Sequence, residues 1–104
     1  MARFDVYANP AVLERRHTPY LLDVQNNHID GLATRVVIPL RTPKGFGQPA
    51  RGLNPLVEVN GRTLVVDTAS IAPVPSSLLK SPVLRAAPWR DDVLDALDTL
   101  FGSY

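Results

Sequence analysis

The sequence predicts a mainly β chain that finishes in one amphipathic helix. Three observations carry that expectation. Short runs rich in Val, Ile, Leu and Thr alternate with Gly, Pro, Asn and Asp as far as Pro75. An Asn60-Gly61 pair stands between two such runs. After Pro88 the apolar residues change from alternating to helical spacing.

Arg3 to Tyr7 alternates, with Phe4 and Val6 on one face and Arg3, Asp5 and Tyr7 on the other, which predicts a half-buried strand that Asn9-Pro10 ends. Tyr20 to Val24 predicts a second strand, with Tyr20, Leu22 and Val24 sharing a face. Asn26, Asn27, Asp30 and Gly31 are turn residues. Thr34 to Leu40 is rich in β-branched residues and predicts a strand buried on both faces. Pro39 marks the point where that strand leaves the sheet edge.

Residues 42–54 hold Pro43, Gly45, Gly47, Pro49 and Gly52 and predict an exposed loop carrying Lys44 and Arg51. Leu56 to Val59 and Thr63 to Val66 flank Asn60-Gly61. Both central residues of a type I′ hairpin turn need positive φ, and this pair tolerates it. Thr68 to Val74 predicts one more short strand, stopped by Pro75. The helix is expected from about 88 to 101. Pro88 suits the first position, and Asp91 and Asp92 suit the positive end of the helix dipole. Trp89, Val93, Leu94, Leu97, Leu100 and Phe101 form the packing side, Asp95 and Asp98 point away, and Gly102 is placed as a left-handed cap.

A chain of 104 residues with 45% apolar residues has the size and composition of one globular domain, here spanning 1–104. Ten prolines, about twice average usage, punctuate the strands. The net charge of +1 lacks the basic excess of a stand-alone nucleic-acid binder. There is no cysteine, which excludes disulfides and thiolate metal sites, and two histidines make a His-based metal centre a poor expectation. No cofactor is expected. The N-terminal residues have no signal core, and no stretch approaches the ~20 apolar residues of a membrane span. No membrane partner and a cytoplasmic location are therefore expected.

No catalytic constellation emerges. Asp91, Asp92, Asp95 and Asp98 share the solvent side of one helix. Ser76-Ser77 lacks a nucleophile elbow. His17 and His28 fall in loops, and the glycines of 42–54 follow no phosphate-binding spacing. Tyr104 stands out as an aromatic just past a helix.

The order of segments is the more specific signal. Phe4-Asp5-Val6-Tyr7 is followed by Tyr20-Leu21-Leu22-Asp23-Val24-Gln25 and Arg35-Val36-Val37-Ile38-Pro39-Leu40. Then come Leu53-Asn54-Pro55-Leu56-Val57, Thr68 to Pro75, and Asp95 to Phe101. Together they resemble the CcdB family of toxins from toxin–antitoxin modules, along essentially the whole chain.

The resemblance implies an SH3-like, partly open β-barrel, of the type shared with Kid and MazF, with a long C-terminal α-helix and a two-fold homodimer. It implies a toxin, not an enzyme, that binds the A subunit of DNA gyrase and traps it on cleaved DNA. It implies neutralisation by a CcdA-like antitoxin, and repression of the module's own operon with DNA contacted only through that antitoxin. The gyrase-binding residues it assigns are Asp98, Gly102, Ser103 and Tyr104, with Arg3, Phe4, Tyr7, Asn26 and His28 alongside. Antitoxin contact is assigned to Lys44 and Arg51. The family ends in Phe-Trp-Gly-Ile, whereas this chain ends Phe101-Gly102-Ser103-Tyr104, and Asp98 replaces an amide. Two alternatives stand beside it: a MazF/Kid-like endoribonuclease using Arg15, Arg16, His17, Lys44 and Arg51, and a non-toxic homologue that binds only an antitoxin.

Overall fold

A computed structural model describes residues 2–27 and 31–102. Six strands form one antiparallel sheet: β1 Val6–Ala8, β2 Tyr20–Asp23, β3 Thr34–Arg41, β4 Leu56–Val59, β5 Arg62–Val66 and β6 Ala72–Pro75. The path runs β1-β2-β3-β5-β4, and β6 pairs with β3. A single-turn helix α1, Pro43–Phe46, follows β3, and α2, Arg90–Phe101, closes the described chain. The sheet curls into a half-barrel, as the SH3-like, partly open barrel expectation requires.

β3 is the spine. Its first half pairs with β6, from Thr34↔Pro75 to Val37↔Ala72, and its end pairs with β5 at Leu40↔Val66 and Arg41↔Val65. Pro39 lies inside this strand and not at its exit. Its carbonyl accepts the Asp67 N–H at 3.0 Å, on the side where β3 changes partner from β6 to β5. In a strand the N–H and C=O of one residue point the same way, so the missing proline N–H faces the gap between partners, where no ladder bond is forfeited. The strand therefore runs on to Arg41.

Both faces of the sheet are packed. Val6, Leu22, Ile38, Leu40, Val59, Leu64 and Val66 join α2's Val93 in the main cluster. Tyr7, Leu21, Val37 and Leu79 form a second cluster. The half-buried first strand is thus a correction: it begins at Val6, and Asp5 and Tyr7 on its expected outer face are 3% and 1% exposed. Asp5 is held in place by the Ala86 N–H on its carboxylate at 2.9 Å. Asp23 and Arg35 are buried as an ion pair with two side-chain hydrogen bonds of 2.8 and 2.9 Å, which is how charges survive there.

The Asn60-Gly61 hairpin forms as read, with φ of 51° and 80°. The segment 42–54 is less loop-like than expected. Pro43 starts a helical turn after Thr42, and Asn54 is buried, donating to the Val66 carbonyl and accepting the Ala50 N–H. The last strand begins only at Ala72, after a 3-10 turn at Thr68–Ser70, and Pro75 belongs to it.

Helix α2 starts at Arg90, with Trp89 as its N-cap residue, so Pro88 precedes the helix instead of opening it. Asp91 and Asp92 sit in the first turn, and Gly102 takes the left-handed cap with φ 67° and ψ 54°. Among the described residues no helix is long and apolar enough to cross a membrane.

Candidate functional site

The first two turns of α2 are fastened to the sheet. Val93 and Ala96 are fully buried, and Trp89, Leu94 and Leu97 pack on the main cluster. The Trp89 indole N–H reaches the Glu58 carbonyl at 3.4 Å, on the free side of edge strand β4. The last turn is different. Phe101, expected on the packing side, is 69% exposed. Periodicity continued the apolar stripe, but the core ends before the helix does. Asp95 and Asp98 face solvent as expected. The Asp98 carbonyl accepts the Gly102 N–H at 2.9 Å and closes the cap. The Asp98 carboxylate stands near the negative end of the helix dipole, with no basic residue in the last turn to offset it. Ser103 and Tyr104 lie outside the described residues, as does His28.

At the other end of α2, Arg3, Phe4, Asn26, Asn27 and Arg90 line a groove of ≈ 440 Å³. Phe4 is buried with a φ of 72°, which a bulky residue adopts only under constraint. The constraint is visible in its neighbours: the Phe4 N–H donates to the Asp23 carbonyl at 2.6 Å, and its own carbonyl accepts the Ala87 N–H at 2.9 Å. The Arg3 and Arg90 guanidinium groups lie 5.0 and 5.6 Å from the centre of its ring, within cation–π range. Arg3 is oriented further by its Nε on the Val24 carbonyl and its backbone N–H on Asn27 Oδ1.

The expected site residues are therefore partly assembled. Arg3, Phe4 and Asn26 meet in one groove. Asp98 and Gly102 lie toward the far end of α2, about 12 and 18 Å from Arg90 along the helix axis at the standard rise. Tyr7 is on the opposite face of the sheet, buried in the second cluster. Burial pushes its hydroxyl pKa above the ordinary 10.0, with Asp5 and Asp23 adding to the effect and Arg35 and Arg85 opposing it.

Lys44 and Arg51 are also separate. Lys44 lines a concavity with Arg16, His17, Thr42 and Gly45. Arg51 is exposed and precedes Gly52, which shares a groove with Leu56, Asp92 and Asp95 beside α2. Arg90 and Asn27 were not legible as site residues. Arg90 comes from the opposite end of the chain from Phe4, so no local pattern could join them. Among the described residues no group of three or more His, Asp and Glu side chains is placed to hold a metal ion.

The decisive comparison is with protein families: the model of the CcdB protein family matches residues 3–102. The chain belongs to the CcdB family. The match runs from Arg3 in the groove to the Gly102 cap of α2. No curated protein matches the chain. Membership places this CcdB-family chain among toxins of toxin–antitoxin modules, with an antitoxin as the implied partner. The family is one of poisons and not of catalysts.

Proposed function

We propose that this chain acts as a homodimeric toxin that binds the A subunit of DNA gyrase and traps the enzyme on cleaved DNA. A CcdA-like antitoxin neutralises it through contacts that include Lys44 and Arg51, and the complex represses its own operon with the antitoxin on the DNA. One observation carries most of this reading. The last turn of α2 leaves the core, exposes Phe101 and ends at the Gly102 cap, and it holds Asp98 and Gly102, two of the residues that the family resemblance assigns to the target. An exposed aromatic costs little in the free chain and gains much when a partner desolvates it. The groove of Arg3, Phe4, Asn26 and Arg90 is a second contact of the same interface, and the strain at Phe4 fits a position held for binding.

The ribonuclease alternative finds less support. General acid–base cleavage needs two proton-transfer groups in reach of one scissile bond. The concavity at His17 has no carboxylate in its lining.

The test is a supercoiling and cleavage assay with the gyrase holoenzyme. Purified chain should inhibit supercoiling and accumulate cleaved DNA, and the Phe101→Ser variant should do neither. Full supercoiling with no stabilised cleavage would refute the gyrase reading. Arrest of growth by the expressed chain should disappear with the last three residues removed.

A further inference from the structure

We propose that the concavity between the Arg16-His17 turn and α1 is a binding site for a phosphate group. It is lined by Arg16, His17, Thr42, Lys44 and Gly45 and encloses ≈ 480 Å³. Two segments distant in sequence are tied together here by the Thr42 N–H on the His17 carbonyl at 2.8 Å, so the side chains flanking that bond face a common space.

The charge arrangement is one-sided. Arg15 is committed to the Asn9 carbonyl, and Arg41 to Asp67 and the Thr18 hydroxyl. Arg16 and Lys44 are exposed and, among the described residues, make no ion pair or side-chain hydrogen bond. Glu14, the acid nearest in sequence, lines a different groove with Asn9, Leu21 and Val74. Two uncompensated cations thus share a hollow with an imidazole and a hydroxyl.

Gly45 keeps the floor open. A Cβ at that position would stand 3.1 Å from His17 Nδ1 and 3.5 Å from Thr42 Oγ1. Its φ is not in the left-handed region, so the conformation does not demand glycine; the space above it does. A tetrahedral anion suits this set better than a planar carboxylate. Its peripheral oxygens can accept from a guanidinium, an ammonium and neutral donors approaching from two segments at once, whereas a carboxylate offers two oxygens in one plane. Free phosphate and the phosphodiester backbone of a nucleic acid share this chemistry. The inference does not depend on gyrase binding.

The experiment follows backbone amides of the full chain by NMR during titration with inorganic phosphate at constant ionic strength. Saturable shifts at His17, Thr42 and Gly45 are expected. Arg16→Ala and Lys44→Ala should each weaken the apparent Kd about tenfold, the usual range for one charge-assisted contact. Both residues are exposed, so the variants should keep the wild-type Tm. Gly45→Ala, which retains both cations, should also weaken binding several-fold by crowding His17.

A duplex or single-stranded oligonucleotide that moves the same amides at lower concentration identifies a nucleic-acid backbone as the source. Tighter binding of inorganic phosphate identifies the free ion. Either result supports the site. Three results overturn it: no saturable shift, an unchanged Kd in the double Arg16→Ala, Lys44→Ala variant, or a polyglutamate peptide moving these amides at lower concentration than phosphate. No phosphate binding by the unsubstituted chain with gyrase poisoning intact refutes this site alone, and phosphate binding without gyrase poisoning refutes the gyrase reading alone.

Discussion

The two ends of α2 obey different rules. Toward its start, Val93 and Ala96 are sealed against the sheet and Trp89 reaches across to the edge of β4. At its finish, Phe101 stands in water and Asp98 sits where the helix dipole repels it. The same apolar period runs through both. The first part of the helix thus supports the fold, and the last turn carries surface that folding does not need. In a small domain that division would allow the end proposed to bind a partner to change sequence without endangering the core.

The largest test of the contrast lies in the core. Val93→Asp would bury an unpaired carboxylate at a position with no exposure, and should cost about 4 kcal/mol or more, enough to unfold a domain of this size. Urea unfolding or loss of dispersed amide signals would register it. A small shift in midpoint would mean that α2 undocks easily and is not the pillar described. At the other end, Phe101→Ser should leave the urea midpoint nearly unchanged, while under the gyrase reading the affinity for gyrase falls by about 30-fold or more, as for an aromatic hot spot of about 2 kcal/mol. If instead Phe101→Ser lowers stability as a core mutation would, the two ends are not separable.

The groove at the start of α2 tests the middle ground. Arg90→Gln removes one of the two cations on the Phe4 ring, and should lower stability by about 0.5–1 kcal/mol. Arg3→Gln should do the same and also lose the bond to the Val24 carbonyl. Under the gyrase reading both variants weaken inhibition more than they weaken the fold. Equal losses in the two measurements would make the groove a structural feature only.

Much of this fold was legible in the sequence because its signals are local. Asn60-Gly61 states its turn type by itself, and Gly102 states its cap. The residues that escaped are governed by distant neighbours. Pro39 reads as an exit from the sheet, because only the pairing of β3 with both β6 and β5 reveals a gap opposite its missing N–H. Tyr7 reads as outward-facing, because the second cluster that covers it includes Leu79 from far along the chain. Phe101 reads as packed, because period shows which side a residue faces and not where the opposing sheet ends. Arg90 and Phe4 come together only after the chain has closed. The family resemblance located Arg3, Phe4 and Asn26 together where no local rule would.

The smallest effect is the most diagnostic of function. Asp98 places a negative charge in the last turn of α2, where the unpaired carbonyls already concentrate negative potential. Asp98→Asn removes that repulsion and keeps the shape of the side chain. The Tm should rise by about 1–4 °C at low ionic strength, and salt should erase the gain. An amide at this position is also what the rest of the family resemblance leads one to expect, so stability and gyrase inhibition should improve together if the target surface is shared. A gain in Tm with a loss of inhibition would instead show that the carboxylate meets a donor on the partner. The charge would then be a feature of this chain's own interface, retained at the expense of its helix.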